Sequence, residues 1–198
     1  MAKTGIFGGT FNPIHKGHMH LADTVSDKLS LDRLIFMPSN IPPHKSSENL
    51  CDNRSRFEMC KLAAESDRRY EVSDFEITRE GKSYSVYTVE YMKKVYPDDE
   101  LYMLLGSDML LTFDKWFKFE EILKNVTLAV VSRENDDMSL LEEKARILRK
   151  YGGIELLTAS PFPLSSTDIR TKIKNSEKYS CLLPEKVVQY IRLNNLYK

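Results

Sequence analysis

The sequence has no excess of charge of either sign, because 29 Lys and Arg residues are balanced by 29 Asp and Glu residues. A net charge of zero gives no overall positive field. Binding to bulk nucleic acid or to an anionic membrane is therefore disfavoured, although local charged patches remain open. The 41% hydrophobic and 29% charged content is ordinary for a globular protein.

Cysteine is scarce as well, and long hydrophobic runs are missing. Cys51, Cys60 and Cys181 are odd in number and lack C-x-x-C spacing, which indicates free thiols in a reducing compartment. The sequence shows no hydrophobic targeting segment, and no apolar run approaches the length of a bilayer span. We therefore expect a soluble, cytoplasmic protein.

Short apolar runs alternate with amphipathic segments along nearly the whole chain. This alternation predicts an α/β fold, a Rossmann-like, doubly wound and mainly parallel sheet with helices on both faces. We expect one domain over residues 1–198, with a C-terminal helical part from about residue 165. In such sheets ligands bind beyond the carboxyl ends of the strands, so functional residues are expected directly after strands.

Three segments give more detailed expectations. Residues 70–78 alternate charged and apolar positions, which predicts a strand partly open to water. A helix capped near Asp52 is expected to bury Phe57 among other side chains. Ser139 and Glu142 have the spacing of a capping box and are predicted to open a later helix.

The first predicted strand leads into GGTFNPIHKGH, residues 8–18. Glycines let the backbone turn tightly and approach a ligand, and the next helix directs its N–H groups and positive dipole end to the same place. His15 and His18 share one face at a helix start, where two imidazoles can donate to phosphate oxygens. A plain turn with solvated histidines is disfavoured by the combined pattern. A zinc site that adds His20 is disfavoured because helical spacing turns His20 off that face.

The segment GGTFNPIHKGH resembles the (H/T)xGH signature of the nucleotidyltransferase alpha/beta phosphodiesterase superfamily. Within that superfamily the chain resembles the bacterial nicotinate-nucleotide adenylyltransferases over almost its full length. Asn12 and Tyr87 stand where the family pattern usually has Asp. The further segments that carry the resemblance are PSNIPPHK (residues 38–45), GKSYSVYTV (81–89), GSDMLLTFDKWF (106–117), SSTDIR (165–170) and the closing YIRLNNLY.

The resemblance implies adenylyl transfer from ATP to nicotinate mononucleotide, giving nicotinate adenine dinucleotide and pyrophosphate in NAD biosynthesis. His15, His18 and Arg170 are the implied catalytic residues. Mg²⁺ is the implied cofactor, bound mainly through the ATP phosphates, with no metal ligand expected from the chain. The implied partners are small-molecule substrates, without nucleic acid or membrane, and a homo-oligomer is left open.

SSTDIR is a predicted second phosphate-binding helix start, in which Ser165 or Ser166 caps the helix and Arg170 lies one turn inward. Trp116 is expected to stack on the pyridine ring of the substrate, and the alternative is a position in the core. For Lys45 and its neighbour His44, the alternative to a role in the site is a solvated surface position. The residues implied to bind ATP are Gly8, Gly9, Thr10, His15, His18, Arg133, Ser165, Ser166 and Arg170. Those implied to bind nicotinate mononucleotide are Lys45, Ser85, Asp108 (through ribose hydroxyls), Trp116 and Phe117.

Two rival functions stay open at this point. An enzyme for nicotinamide mononucleotide differs only in recognising an amide instead of a carboxylate, which a few backbone N–H groups can distinguish. A catalytically silent nucleotide sensor is disfavoured, because a sensor need not retain His15, His18 and Arg170.

Overall fold

The computed structural model describes residues 1–41, 50–132, 137–160 and 162–198. Its centre is one six-stranded sheet in the order β3-β2-β1-β4-β5-β6, and every neighbouring pair is parallel. The strands are β1 (Lys3–Gly9), β2 (Arg33–Pro38), β3 (Tyr70–Val72), β4 (Glu100–Gly106), β5 (Thr127–Ser132) and β6 (Ile154–Thr158).

Helices cover both faces of this sheet, as the strand–helix alternation predicts. Two short 3-10 turns, Phe113–Lys115 and Ser180–Leu182, occur beside them. The helices are α1 (Lys16–Leu29), α2 (Asn53–Ala64), α3 (Phe75–Thr78), α4 (Ser85–Val95), α5 (Ser107–Leu111), α6 (Phe119–Asn125), α7 (Met138–Leu148), α8 (Ser166–Lys174) and α9 (Glu185–Leu193).

Each face of the sheet has its own hydrophobic core. Successive strand residues point to opposite faces, so Phe7 belongs to one core and Ile6 to the other. The Phe7 core includes buried side chains of α1, α2, α8 and α9, and the Ile6 core includes those of α4, α5, α6 and α7. The predicted fold class is therefore confirmed.

The strand order reverses between β1 and β4. β1 pairs with β2 on one side and with β4 on the other, and the chain winds outward from this point in both directions. This order is the one in which a crevice for ligands opens beyond the carboxyl ends of the two central strands. The segments that follow β1 and β4 are therefore the ones to inspect.

Three local expectations were only partly right. Residues 70–78 form a strand only over β3; although β2 continues to Pro38, the pairing stops at Phe36 opposite Val72 and the chain turns into α3. Helix α2 is capped by Asp52 and buries Cys60 and Ala64 as expected, but it buries Arg56 completely and Phe57 only in part. Helix α7 is capped by Asp137, whose side chain accepts from Leu140 N, rather than by a Ser139 capping box.

The C-terminal helices α8 and α9 share a core with α1 and α2. The assignment of residues 1–198 to a single domain with a helical part from about residue 165 stays a prediction. In the parts of the chain that the structure describes, no helix is long and apolar enough to cross a membrane.

Candidate active site

A buried arginine supports the segment between β1 and α1, residues 10–15, called here the β1–α1 loop. Arg56 on α2 donates from Nη1 to the Thr10 carbonyl oxygen at 2.7 Å and from Nε to the Cys51 carbonyl oxygen at 3.2 Å. Its other terminal nitrogen donates to Asn53 Oδ1. Its side chain is inaccessible to solvent. Because a guanidinium presents several donors in one plane, Arg56 ties the loop to α2.

The amino-terminal half of α8 holds the same loop from another side. Arg170 donates from Nη1 to the Asn12 carbonyl oxygen at 2.9 Å, and the Ser166 hydroxyl donates to the Pro13 carbonyl oxygen at 2.9 Å. These bonds link residues more than 150 positions apart in sequence. The amino-terminal turns of α1 and α8 therefore meet at the β1–α1 loop.

His15 and His18 form a reciprocal cap at the start of α1. The backbone N–H of His18 donates to His15 Nδ1 at 3.4 Å, and that of His15 donates to His18 Nδ1 at 3.2 Å. The two rings stack with centroids 3.7 Å apart. A backbone N–H can only donate, so each Nδ1 is an acceptor and each neutral ring carries its proton on Nε2. The predicted shared face is present, and its fixed tautomers make Nε2 the donor of both rings.

Burial controls the charge of His15. Its side chain is 5% exposed, and this loss of solvation lowers its pKa from 6.5 to about 4, with the nearby Asp168 carboxylate acting in the opposite direction. Gly17 allows this packing, because a Cβ there would lie 3.1 Å from the His15 ring. His15 is therefore neutral at physiological pH.

The glycines at the end of β1 differ in what they do. A side chain on Gly9 would meet the Phe11 ring at 2.7 Å, so glycine is required there by packing within the protein. Nothing lies within 4 Å of a Cβ built on Gly8, which is exposed. The surface beside Gly8 and the partly exposed Thr10 is thus open for approach to the backbone.

Helix α8 begins with its own cap. Ser165 accepts from the Asp168 backbone N–H at 3.1 Å and donates its hydroxyl proton to Asp168 Oδ2 at 2.6 Å. The Ser166 hydroxyl is engaged with Pro13. Both predicted serine hydroxyls thus bond other parts of the protein, and the groups that α8 offers to an anion are backbone N–H groups and Arg170.

The carboxyl end of β4 contributes Asp108. Helix α5 begins directly after Gly106, and Asp108 is exposed in its first turn. β4 is hydrogen-bonded to β1, so Asp108 lies at the same edge of the sheet as the β1–α1 loop.

Aromatic rings gather at the start of α4, and we call Tyr84, Tyr87, Trp116 and Phe117 the aromatic end. The Phe117 ring lies 4.9 Å from Tyr84 and 6.3 Å from Tyr87, centroid to centroid. Arg79 stacks over the Tyr87 ring at 4.0 Å. Tyr87, which stands where the family pattern usually has Asp, thus belongs to this cluster of rings.

Ser85 adjoins the aromatic end, and Trp116 is the remaining member of it. Ser85 is the first residue of α4, next to Tyr84. Trp116 is half-buried and packs on Phe113, with centroids 5.0 Å apart. Its partial exposure lies between the two sequence-based alternatives, a core position and a ligand-stacking ring.

Lys45, His44 and Arg133 lie outside the described residues. Of the other predicted site residues, the structure brings one group together at the β1–α1 loop and places a second group at the aromatic end and β4. The first group is Gly8, Gly9, Thr10, His15, His18, Ser165, Ser166 and Arg170. The second is Ser85, Asp108, Trp116 and Phe117.

Sequence reasoning missed Arg56 and the second-last residue, Tyr197, whose hydroxyl donates to Asn12 Oδ1 at 2.9 Å. Arg56 lies four residues before Cys60, on the stripe that faces the core, and a charged residue on an apolar stripe was the available signal. Tyr197 closes the YIRLNNLY segment of the family resemblance, but the resemblance gave it no role.

Within the described ranges, no three or more His, Cys, Asp or Glu residues come together in a group able to hold a metal ion. The donors at the β1–α1 loop are imidazole N–H, guanidinium and backbone N–H groups, whereas Mg²⁺ requires oxygen ligands. This part of the site does not fit direct coordination of magnesium by the chain.

The fold and site define a Rossmann-like protein with two helix amino termini directed at one crevice. The sequence profile of the cytidylyltransferase-like family matches residues 6–172, which is most of the chain. Curated relatives narrow this class. The probable nicotinate-nucleotide adenylyltransferases of Clostridium tetani and Clostridium novyi are 39% and 40% identical to this chain over 200 aligned residues, covering all of both partners. The chain belongs to the nicotinate-nucleotide adenylyltransferase family.

Solved structures agree in fold. A Plasmodium falciparum nicotinic acid mononucleotide adenylyltransferase complexed with NaAD matches with a TM-score of 0.79 at 18% identity, over 100% of this chain and 98% of that one. A putative nicotinate-nucleotide adenylyltransferase from Vibrio parahaemolyticus matches with a TM-score of 0.69 at 21% identity, over 100% and 96%.

Proposed function

We propose that this chain transfers the adenylyl group of ATP to nicotinate mononucleotide, forming nicotinate adenine dinucleotide and pyrophosphate in NAD biosynthesis. The observation that carries the proposal is the meeting of α1 and α8 at the β1–α1 loop, beside the reversal of strand order. Two helix starts aimed at one place suit a polyanion such as a nucleoside triphosphate. The family relationship supplies the identity of the two substrates.

His15, His18 and Arg170 are the proposed catalytic residues. The two Nε2–H groups would donate to phosphate oxygens, and their tautomers are already set by the cap of α1. Arg170 bonds the Asn12 carbonyl oxygen through Nη1 and Thr167 through Nη2, which orients its fork at the same loop. Preorganised donors stabilise charge that develops on the transferred phosphoryl group without reorganising during the reaction.

The remaining assignments divide the substrates between the two ends of the site. We assign Gly8, Gly9, Thr10, Arg133 and the α8 start at Ser165 and Ser166 to ATP. To nicotinate mononucleotide we assign Lys45, Ser85, Asp108, Trp116 and Phe117. The open surface at Gly8 supports the first group, and the exposed Phe117 ring of the aromatic end supports the second.

The reaction needs alignment more than proton removal. The attacking group is a phosphate oxygen of the mononucleotide, and a phosphate monoester has its second pKa at about 6, so it is mostly dianionic at neutral pH. It attacks the alpha phosphorus of ATP, forms the new phosphorus–oxygen bond and expels pyrophosphate. A neutral His15 fits this scheme, because a donor is required and a general base is not. Holding the two reactants in line supplies up to about 7–11 kcal/mol of the barrier reduction.

ATP-dependent nucleotidyl transfer generally employs magnesium. We propose that Mg²⁺ arrives with the ATP phosphates and water as its ligands, where it offsets phosphate charge. The donors of the β1–α1 loop then bind phosphate oxygens directly. A cytoplasmic location and the oligomeric state stay predictions.

A comparative pyrophosphate-release assay tests the proposal. ATP is offered with nicotinate mononucleotide, with nicotinamide mononucleotide or with phosphopantetheine. We expect clear preference for the first. Preference for nicotinamide mononucleotide would make it the substrate instead of nicotinate mononucleotide. Pyrophosphate release with none of the three would favour a nucleotide sensor over an enzyme.

A further inference from the structure

The end of the chain reaches the centre of the site. Tyr197, the second-last residue, donates its hydroxyl proton to Asn12 Oδ1 at 2.9 Å across 185 positions of sequence. Asn12 is 3% exposed, and its Oδ1 also accepts from the Cys51 backbone N–H at 3.1 Å. Its carbonyl oxygen accepts from Arg170 at 2.9 Å. One residue of the β1–α1 loop therefore bonds α8, the residue preceding the α2 cap and the C-terminal tail.

The tail has a defined path to this contact. After α9 the chain turns back through left-handed residues at Asn195 and Tyr197, with φ angles of 52° and 66°. The Leu196 backbone N–H donates to the Ile191 carbonyl oxygen at 3.1 Å. Leu196 and Tyr197 both pack against the core that α1, α2, α8 and α9 share. The tail is thus a folded cap directed at Asn12.

The hydroxyl of Tyr197 is held in its donor form. Burial, followed by the influence of Cys51, raises the pKa of Tyr197, while Arg170 and Arg56 act in the opposite direction. Tyr197 and Arg170 both bond Asn12, so the phenol lies beside a guanidinium group that holds the β1–α1 loop. The phenol remains protonated at neutral pH and donates to the amide oxygen.

We propose that Tyr197 is a positioning residue for adenylyl transfer, fixing Asn12 so that Arg170 and the cap at His15 keep their places. This inference rests on the proposed function. Tyr197 is not assigned a contact with substrate and acts through Asn12. The Asn12 carbonyl oxygen accepts from Arg170, and Asn12 lies three residues before His15. A displacement of Asn12 would therefore displace both Arg170 and His15.

The test compares Tyr197→Phe with a matched control, Tyr190→Phe. Both changes remove one phenolic hydroxyl from the C-terminal part of the chain. The Tyr190 hydroxyl donates to Ser55 Oγ at 3.4 Å, between α9 and α2, and does not bond to the β1–α1 loop. Because one hydrogen bond contributes about 0.5–1.5 kcal/mol, we expect Tyr197→Phe to lower kcat about two- to tenfold. The KM for nicotinate mononucleotide should stay unchanged, and Tyr190→Phe should keep wild-type kcat.

A second measurement needs no second substrate. Calorimetric titration with a non-hydrolysable ATP analogue should show weaker binding to Tyr197→Phe than to Tyr190→Phe, with equal melting temperatures of the two variants. If wild type binds the analogue but does not turn over nicotinate mononucleotide, the proposed function fails, and the weaker binding of Tyr197→Phe would still support the role of the tail. Equal kcat and equal analogue affinity in both variants would overturn the inference. So would losses that are the same in both variants and follow their melting temperatures.

Discussion

The two ends of the candidate site are built in opposite ways. At the β1–α1 loop His15 and Asn12 are buried, 5% and 3% exposed, His18 and Arg170 are half-buried, and three loop carbonyl oxygens accept from distant side chains. At the aromatic end Phe117 is 45% exposed, and its ring lies against the Tyr84 and Tyr87 rings and under the Lys118 ammonium group. One end is fixed by directional bonds and the other by ring packing.

This difference corresponds to the two kinds of ligand that the site is proposed to hold. Phosphate charges require donors held in fixed directions before the reaction begins. A pyridine ring requires a flat apolar face, which tolerates small displacements. Changes at the β1–α1 loop should therefore act on kcat or on stability, and changes at the aromatic end on the KM of one substrate.

The largest expected effect is that of His18→Ala on turnover. Removing one fixed donor to the developing phosphoryl charge should lower kcat about 10²–10³-fold. The helix also loses the acceptor for the His15 backbone N–H, a cost of about 1 kcal/mol that leaves the protein folded. Pyrophosphate release measured at saturating substrates gives the result.

His20→Ala is the matched control for this change. His20 Nε2 lies 3.1 Å from the Ser160 carbonyl oxygen, off the face shared by His15 and His18. We expect turnover near that of wild type. A folded His18→Ala variant with normal kcat would remove His18 from the proposed mechanism.

The buried ring of His15 should make stability depend on pH. The unfolded chain binds a proton near pH 6.5, whereas the folded protein does so only at about pH 4. Between these values the unfolded state holds more protons, so the contribution is fully present above pH 6.5 and is lost as the pH falls toward 4. A shift of this size corresponds to about 3 kcal/mol.

His15→Asn isolates this contribution, because Asn is a good helix cap and does not titrate. Urea unfolding at pH 7.0, 5.5 and 4.5 should show a shallower loss of unfolding free energy in the variant than in wild type. Carboxylates common to both proteins cancel in the comparison. Parallel pH dependences would contradict a buried, neutral His15.

Arg56→Lys should weaken the enclosed end without changing the charge. A lysine cannot reproduce the planar fork, so carbonyl oxygens at Thr10 and Cys51 lose partners. We expect the free energy of unfolding to fall by about 2–3 kcal/mol, and kcat to fall with it. Arg54→Lys, an exposed change on the same helix, is the control and should leave both quantities near wild type.

The sequence patterns predict those features of the fold and site that are determined locally. Helical spacing predicts that His15 and His18 share a face, and strand–helix alternation predicts the parallel sheet with helices on both sides. Ser165 at the α8 cap follows from the same kind of short-range pattern. Each of these depends on residues close together in the chain.

The features that the sequence patterns do not predict depend on contacts with other segments of the chain. Residues 70–78 form a strand only over Tyr70–Val72, although β2 continues to Pro38, and the segment itself does not reveal that the chain turns into α3. Arg56 is buried because carbonyl oxygens from two other segments surround it, and Tyr197 meets Asn12 across 185 positions. The contacts that stabilise the β1–α1 loop are therefore visible only in the folded chain.

Trp116→Ala gives the smallest effect expected among the changes that compare the two ends of the site. Stacking on a ring is worth about 1–3 kcal/mol, so the KM for nicotinate mononucleotide should rise roughly tenfold while the KM for ATP stays near wild type. Trp116 also packs on Phe113, so a loss of stability would accompany the truncation. Trp116→Phe separates the two, because it retains a flat aromatic face and should recover most of the affinity. If the phenylalanine variant is as weak as the alanine variant, the indole nitrogen rather than the ring face is responsible. If neither changes the mononucleotide KM, Trp116 belongs to the core, and the aromatic end binds its ligand through Phe117 and its tyrosine neighbours.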